Sequence, residues 1–290
     1  MDNLRGALLM VLAMAGFSVE DALIKLLAGR IPPGQIIAII GIGGASALIL
    51  WQLITRQPVW TDDYLNRKVL FRTMSEVIGT LFFVSALAVI PLTTASAVIQ
   101  ATPLVVATGA ALFLGQAVGW RRWLAIIVGF IGVLVILRPG TSGFSPLTLL
   151  AIGGMLGLAS RDLATRAIDG PITGVLLSIH ALVFLVPAGF ALMAFQGHSP
   201  VAPTIQETLV LVACVIIGLI AYLTIVAATR IGDAAVISSF RYSRMVFAIG
   251  VAFLFFREVP DLWTMIGVAI VIGAGVFTLW REARARRTSP

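Results

Sequence analysis

Residues 12–25 read "LAMAGFSVEDALIK", and residues 153–166 read "GGMLGLASRDLATR". Aligned with a shift of 141 positions, the two segments share a methionine, a glycine, an aspartate and a basic residue. The aligned pairs are Met14 with Met155, Gly16 with Gly157, Asp21 with Asp162, and Lys25 with Arg166. Apolar matches are frequent in an apolar chain, but an aspartate followed four positions later by a basic residue is not. The match indicates that the chain contains two copies of one unit.

The composition places most of the chain in lipid. Of the 290 residues, 59% are hydrophobic and 11% are charged, and the mean hydropathy is +1.05. A soluble domain typically has about 25% charged residues. The apolar runs predict ten helices of the length that crosses a bilayer core. They cover residues 4–28, 33–55, 68–89, 93–115, 120–138, 146–168, 171–195, 206–229, 233–256 and 260–281. We therefore predict an all-α integral membrane protein.

The shift of 141 positions divides the ten helices into two copies of five, residues 1–140 and 141–290. Because five is an odd number, the second copy enters the membrane from the opposite side. The copies are then inverted repeats, related by a pseudo-two-fold axis in the membrane plane. This arrangement is typical of secondary transporters, whose substrate site lies near the bilayer midplane.

Lysine and arginine predict the orientation of the chain. Of the twenty such residues, four lie at the predicted outer helix ends, namely Lys25, Arg30, Arg138 and Arg257. Arg161, Arg241 and Arg244 lie inside helices, and the remaining thirteen lie at the opposite ends. By the positive-inside rule, both termini are expected in the cytoplasm. The same distribution accounts for the net charge of +7 without a nucleic-acid partner.

The chain lacks the sequence patterns of cofactor and metal sites. The segment "GIGG", residues 41–44, lies in an apolar helix and not after a strand, so it is no dinucleotide loop. No nucleotide-binding loop and no cluster of metal ligands is visible, and the single cysteine, Cys214, has no partner for an internal disulfide. We predict no cofactor, no metal and no transport driven by ATP.

Two longer segments, residues 86–140 and 227–280, match each other and carry a family signature. Their central helices end in "LFLGQ", residues 112–116, and "LFFRE", residues 254–258. The segments resemble the paired EamA domains of the drug/metabolite transporter superfamily, in which a helix–"LFLGE"–helix signature occurs in each repeat. The first copy has Gln116 in place of the acid, and the second keeps Glu258.

The resemblance implies two five-helix repeats and a non-enzymatic secondary transporter that works by alternating access. Members of that family export amino acids, or import S-adenosylmethionine, riboflavin or other metabolites. The chain resembles amino-acid exporters of the YddG type in the bacterial inner membrane, which implies an amino acid as substrate. The alternatives are an importer of S-adenosylmethionine, riboflavin or another metabolite, an intramembrane enzyme, a channel, or a membrane subunit that transports nothing.

Seven charged residues fall inside the predicted helices: Glu20, Asp21, Glu76, Arg161, Asp162, Arg241 and Arg244. A charge at the bilayer centre costs at least about 2.5–3.5 kcal/mol, so each needs a partner or a water-filled cavity. Glu76 and Arg241 both lie about 12 Å from the cytoplasmic ends of their helices, given the rise of an α-helix. We predict an ion pair between them.

The fourth and ninth predicted helices occupy equivalent places in the repeat, and both carry polar residues near mid-membrane. Gln100 aligns with Arg241, and Pro103 with Arg244. Pro103 removes one helical hydrogen bond and frees the carbonyl of Ile99. Such a carbonyl is tolerated at membrane depth only where it lines a cavity or is buried in protein. We expect the two polar faces to meet across a central cavity.

The residues predicted to bind substrate are Gln100, Thr102, Pro103, Tyr222, Ser239, Arg241, Ser243 and Arg244. Arginine suits a substrate carboxylate because its planar guanidinium binds both oxygens. Arg244 is the most central cation, about 16 Å deep. The alternative is that Arg244 is locked to Glu20 or Asp21, and Tyr222 is either a cavity wall or an ordinary packing residue.

The residues predicted to act in coupling or gating are Glu20, Asp21, Glu76, Asp162 and His180. Asp21 and Lys25 are spaced as a helical ion pair, and Asp162 and Arg166 repeat that spacing. These groups are either helix-end pairs or two gates related by the repeat. His180, with Ser178 nearby, is either a proton relay or a packed core histidine.

Overall fold

The computed structural model describes residues 2–116, 119–141, 144–170, 172–229, 237 and 239–288. Within these ranges the chain forms α-helices and two short 3₁₀ turns, and no β-strand. The helices are α1 (Asp2–Leu27), α2 (Pro33–Ile54), α3 (Arg67–Val89), α4 (Leu92–Ile99), α5 (Thr102–Phe113), α6 (Trp120–Leu137), α7 (Thr148–Ala167), α8 (Gly174–Phe195), α9 (Ile205–Thr229), α10 (Ser243–Phe256) and α11 (Leu262–Thr288). The 3₁₀ turns are Asp62–Leu65 and Phe240–Tyr242. The predicted all-α fold is confirmed.

Eight helical segments of the described chain are long and apolar enough to cross a membrane. One of them, Leu92–Phe113, consists of α4 and α5 joined end to end. The other two predicted segments contain α7, which carries charged residues in its second half, and α10. The start of the ninth predicted helix, residues 230–236, and Ser238 lie outside the described residues.

Many large apolar side chains point away from the protein. Leu8, Phe113 and Leu254 are each more than 60% exposed. Such exposure is unfavourable in water, but it is expected where lipid is the solvent.

Left-handed residues end the two helices that carry the "LFLGQ" and "LFFRE" segments. Gly115, after α5, has φ of +63°, and Arg257, after α10, has φ of +56°. A left-handed residue directly after a helix is a common C-terminal cap, because it turns the chain and satisfies the last carbonyls. The fourth position of the signature therefore has the same backbone role in both repeats.

The chain divides into two compact units. The first unit comprises Met1–Ala22, Ile90–Leu149 and Ile217–Pro290. Within it, α6 packs along α11 and α4 packs on α10. Gly132 and Gly267 bring the backbones of α6 and α11 together, since a Cβ at Gly267 would lie 2.7 Å from the carbonyl oxygen of Gly132. Small residues commonly allow such close approach between membrane helices.

The second unit comprises Leu23–Val89 and Leu150–Ile216. Within it, α2 packs along α8, and α3 also contacts α8. A Cβ at Gly34 of α2 would lie 2.3 Å from the carbonyl oxygen of Gly189 in α8. A Cβ at Gly157 of α7 would lie 2.4 Å from the Cα of Gly79 in α3. Each unit thus contains helices from both sequence repeats.

Helices that are equivalent in the repeat pack on one another. A shift of 141 positions moves α2 onto α8 and α6 onto α11, and the two helices of each pair pack together. Gly41 in α2 meets its own counterpart, because a Cβ there would lie 2.8 Å from the carbonyl oxygen of Leu182. This contact is what a two-fold relation between α2 and α8 would produce.

Candidate functional site

The helix that the sequence predicts over residues 93–115 is interrupted near its middle. α4 ends at Ile99 and α5 begins at Thr102. Pro103 has no N–H for the carbonyl of Ile99, and the hydroxyl of Thr102 donates to that carbonyl instead, with Oγ1 2.5 Å from the oxygen. The freed carbonyl is confirmed. The continuous helix was wrong, because a proline one turn after Ile99 makes a break easier than a straight helix.

A second interruption lies at the equivalent place in the other repeat. Residues Phe240–Tyr242 form a 3₁₀ turn, and α10 begins at Ser243. The two breaks are bonded directly, because the side-chain Nε2 of Gln100 donates to the carbonyl of Tyr242 at 3.3 Å. Both residues are buried, with 7% and 5% of their surface exposed. The polar faces of the two helices therefore meet in direct contact at this point.

Arg244, in the first turn of α10, forms a buried ion pair with Asp21 of α1. Its Nη2 lies 2.6 Å from Oδ2 of Asp21, and the two side chains are 18% and 6% exposed. The sequence predicted two possible partners for Asp21, Lys25 and Arg244, and the structure pairs it with Arg244. The amine of Lys25 lies 3.4 Å from the carbonyl oxygen of Leu87.

The same face of α1 surrounds Arg244 with further contacts. The guanidinium carbon lies 5.6 Å from the ring centroid of Phe17, within the range of a cation–π interaction. The hydroxyl of Ser18 lies 3.1 Å from the carbonyl oxygen of Arg244 and 2.9 Å from that of Met14. Glu20 lies against Gly218 in α9, where a Cβ would come within 2.5 Å of the carboxylate. This part of the first unit therefore collects two acids and a cation beside the second break.

The second unit contains a separate ion cluster. The carboxylate of Glu76 binds two arginines. Its Oε2 lies 2.6 Å from Nη1 of Arg72, and its Oε1 lies 3.2 Å from Nη1 of Arg161. Arg161 also binds Asp162, its neighbour in sequence, at 2.7 Å. The structure thus gives Glu76 these two arginines as partners, whereas the sequence predicted Arg241. Asp162 pairs with Arg161, in place of the predicted Arg166.

His180 lies at the edge of this cluster in a packed environment. Its Nδ1 is 2.8 Å from the hydroxyl of Thr73, and its ring stacks on Tyr64 with centroids 4.5 Å apart. Phe184 contacts the ring at an edge, with centroids 4.9 Å apart. These neighbours fit the packed core histidine better than a relay through Ser178.

Tyr64 lies outside the spans, in a 3₁₀ turn, and its hydroxyl donates to the carbonyls of Leu176 and Val59 at 3.1 and 3.2 Å, one at a time. Burial raises the pKa of Tyr64 to about 12. The phenol therefore stays protonated, and remains a donor, at neutral pH.

The residues predicted to bind substrate lie in one unit, and those predicted to act in coupling or gating are divided between the two units. All eight predicted substrate-binding residues belong to the first unit, together with Glu20 and Asp21. Glu76, Asp162 and His180 belong to the second unit. Tyr222, Ser239, Arg241 and Ser243 are half-buried.

Sequence reasoning missed several residues of these clusters: Phe17, Ser18, Tyr64, Arg72, Thr73 and Tyr242. Arg72 was counted among the charges at helix ends, but it is 6% exposed, and its Nη1 donates to the carbonyl of Leu177 at 2.8 Å. The spacing of Arg72 and Glu76, four residues apart on one helix face, was the signal available in the sequence.

The apolar helical spans, the repeated unit and the ion pairs buried between its helices fit an integral membrane transporter. The chain belongs to the EamA-like transporter family, whose model matches it twice, over residues 4–138 and 145–280.

Curated relatives are named as transporters. A riboflavin transporter of Vibrio cholerae is 26% identical over 290 residues, which cover 98% of this chain and 96% of that protein. A pseudopaline exporter of Pseudomonas aeruginosa is 28% identical over 281 residues, covering 93% and 94%. An S-adenosylmethionine uptake transporter of Rickettsia bellii is 27% identical over 199 residues, covering 69% and 67%.

The fold is also found among solved structures. One crystal structure superposes with a TM-score of 0.67 and 19% sequence identity, and the match covers 96% of this chain and 98% of the other. At that identity the likeness establishes the fold alone.

Proposed function

We propose that this protein is a secondary transporter that moves a metabolite with an α-amino carboxylate group, most directly an amino acid, out of the cell. It lies in the bacterial inner membrane with both termini in the cytoplasm, and it works by alternating access. The observation that carries the proposal is the buried pair of Arg244 and Asp21 beside two helix breaks.

The pair supplies the two charges that an amino acid needs. A substrate carboxylate can replace that of Asp21 on the guanidinium of Arg244, because arginine binds carboxylates through two parallel hydrogen bonds. The released Asp21, with Glu20 beside it in sequence, then faces the substrate ammonium. The exchange preserves charge pairing at each step, which matters because an unpaired buried charge is costly.

The helix breaks suit the same role. In many transporters the substrate lies at interrupted helices near the midplane, where backbone groups and polar side chains are available. Gln100, Thr102 and Ser243 lie at the breaks here and are the polar groups nearest in sequence to Arg244 and its counterpart. Gln100 and Thr102 also donate hydrogen bonds to backbone carbonyls at the breaks. A substrate that changes these bonds would therefore move the ends of the helices.

The names of the relatives support a small organic substrate, but the substrates they name differ in chemistry. S-adenosylmethionine has an α-amino carboxylate group and fits the proposed site. Riboflavin lacks that group, yet a riboflavin transporter matches almost the whole chain. Riboflavin uptake is therefore the second candidate function.

Counterflow in proteoliposomes separates these candidates. Vesicles preloaded with unlabelled substrate should accumulate the same compound in labelled form, tested with phenylalanine, threonine, S-adenosylmethionine and riboflavin. The proposal expects accumulation of at least one compound with an α-amino carboxylate group and none of riboflavin. Accumulation of riboflavin alone would replace the first proposal with the second.

A further inference from the structure

The N-terminus of α4 is buried, and its own sequence does not cap it. Leu92 is 0% exposed and Thr93 is 3% exposed. The preceding residue, Pro91, makes no side-chain capping bond. The first N–H groups of a helix have no partner within it, and leaving them buried without one is unfavourable.

A carboxylate from the other repeat reaches this helix end. Oε2 of Glu258 lies 2.8 Å from the amide nitrogen of Leu92 and 3.5 Å from that of Thr93. Both amides donate to an acid at the end of the helix that carries partial positive charge, where a negative charge is most favourable. Glu258 is the acid of the "LFFRE" segment, so this contact gives the signature acid a structural role.

The end of α10 fixes where Glu258 lies. The amide of Glu258 donates to the carbonyl of Ala252 at 3.2 Å, and that of Arg257 to Phe253 at 3.2 Å. Together with the left-handed conformation of Arg257, these bonds cap α10 and turn the chain toward α4. The acid is therefore held by a folded helix end and not by a free loop.

α4 is attached to the second repeat at both of its ends. Glu258 binds its first residue, and Gln100, directly after its last residue, binds the carbonyl of Tyr242. The eight residues of α4 separate the two attachments by about 12 Å. We propose that Glu258 is a positioning residue, whose carboxylate caps α4 and thereby holds the helix break and the contact of Gln100 with Tyr242 in place.

The chain offers a matched control for this proposal. Gln116 has the same place in the "LFLGQ" segment of the first repeat, and it is exposed. Its amide nitrogen donates to the carbonyl of Ala110 at 3.2 Å, a backbone bond that a change of side chain leaves intact. Gln116→Ala therefore changes the signature without removing a cap from α4.

Amide hydrogen exchange of the purified full-length protein tests the proposal at both ends of α4. Glu258→Ala should raise exchange about tenfold at Leu92 and Thr93, because the cap is lost. It should also raise exchange at Ala101 and Leu104, whose amides close the turns of the break. Glu258→Gln keeps an acceptor oxygen and should restore most of the protection at both places, and Gln116→Ala should leave both unchanged.

The result at the break decides the matter. If Glu258→Ala raises exchange only at Leu92 and Thr93, Glu258 is a local cap and the positioning role is overturned. If Glu258→Gln protects no better than Glu258→Ala, the hydrogen bonds are not the cause. Should the alanine variant fail to insert, Glu258→Asp, whose side chain is one methylene shorter, gives the same comparison. We expect a partial loss of amide protection at both ends of α4. A loss at Leu92 and Thr93 alone would contradict the proposal.

Discussion

The side chain of Gln100 donates to the carbonyl of Tyr242 at 3.3 Å and so joins the two helix breaks of the first unit. Gln100 is equivalent to Arg241 in the repeat, so the bond links nearly equivalent positions of the two copies. The donor, Gln100, is neutral, whereas the equivalent residue of the second copy, Arg241, is a cation. The break between α4 and α5 is therefore neutral, whereas the break before α10 carries Arg241 and Arg244.

Gln100→Met should destabilise the protein, because it leaves the buried carbonyl of Tyr242 without this donor. The expected cost is about 1–3 kcal/mol, the range for an unsatisfied buried polar group. Thermal unfolding in detergent measures it, with the exposed Gln116→Met as control. Equal melting temperatures for the two variants would show that the bond contributes nothing.

Glu76 and Arg161 should be energetically coupled. Glu76→Gln and Arg161→Gln should each destabilise the second unit, by less than the about 3–5 kcal/mol of an isolated buried pair. The loss is smaller because Arg161 keeps Asp162 in the first variant and Glu76 keeps Arg72 in the second. Because the double variant removes both charges, it should cost less than the sum of the two. Denaturation of the four proteins in a double-mutant cycle gives the coupling energy, and strict additivity would argue against the contact.

Gly157→Ala should be poorly tolerated, because its Cβ would lie 2.4 Å from the Cα of Gly79. We expect a cost of about 1–3 kcal/mol, as for overpacking of a core. Gly273→Ala is the control, since a Cβ there meets nothing within 4 Å. Expression and melting temperature should fall for the first variant only, and a loss in both would point to helix flexibility in place of close packing.

The sequence predicted the helices well and the side-chain partners poorly, for physical reasons. Apolar length identifies a membrane helix from local information, and the helix starts at Pro33 and Gly174 were predicted within three residues. Depth along straight helices suggested Arg241 as the partner of Glu76, but partners depend on which faces meet. Arg72 and Glu76 of α3 meet Arg161 of α7 through the packing of these two helices, information that the shift of 141 positions does not contain.

The pair of Asp21 and Arg244 shows the same limit. The sequence named Asp21 as one possible partner of Arg244 but did not prefer it, because Asp21 lies one helical turn from Lys25 at the predicted outer end of its helix. The interruption at Phe240–Tyr242 changes where α10 begins, so depth counted along an uninterrupted helix is not reliable there. The break itself had a visible signal only in the first repeat, where Pro103 follows Ile99 by four residues.

Both termini should lie in the cytoplasm, as the distribution of lysine and arginine predicts. Alkaline phosphatase, which is active only outside the cytoplasm, should be inactive when fused after Pro290. It should be active when inserted near Ser199, in the connection between α8 and α9. Activity of the C-terminal fusion would contradict the predicted topology and the inverted arrangement of the repeats.

The role of Arg244 can be measured most directly by comparing an acid with its amide. Proteoliposomes containing the protein or Arg244→Met are assayed for counterflow of phenylalanine and of phenylalaninamide, with melting curves recorded for both proteins. Losing a charge-assisted hydrogen bond costs about 1.5–3 kcal/mol, or roughly ten- to hundredfold in affinity. We predict that Arg244→Met weakens the apparent affinity for phenylalanine by that factor and changes that for the amide far less. An equal loss for acid and amide, together with a lower melting temperature, would show that Arg244 serves only as the structural partner of Asp21.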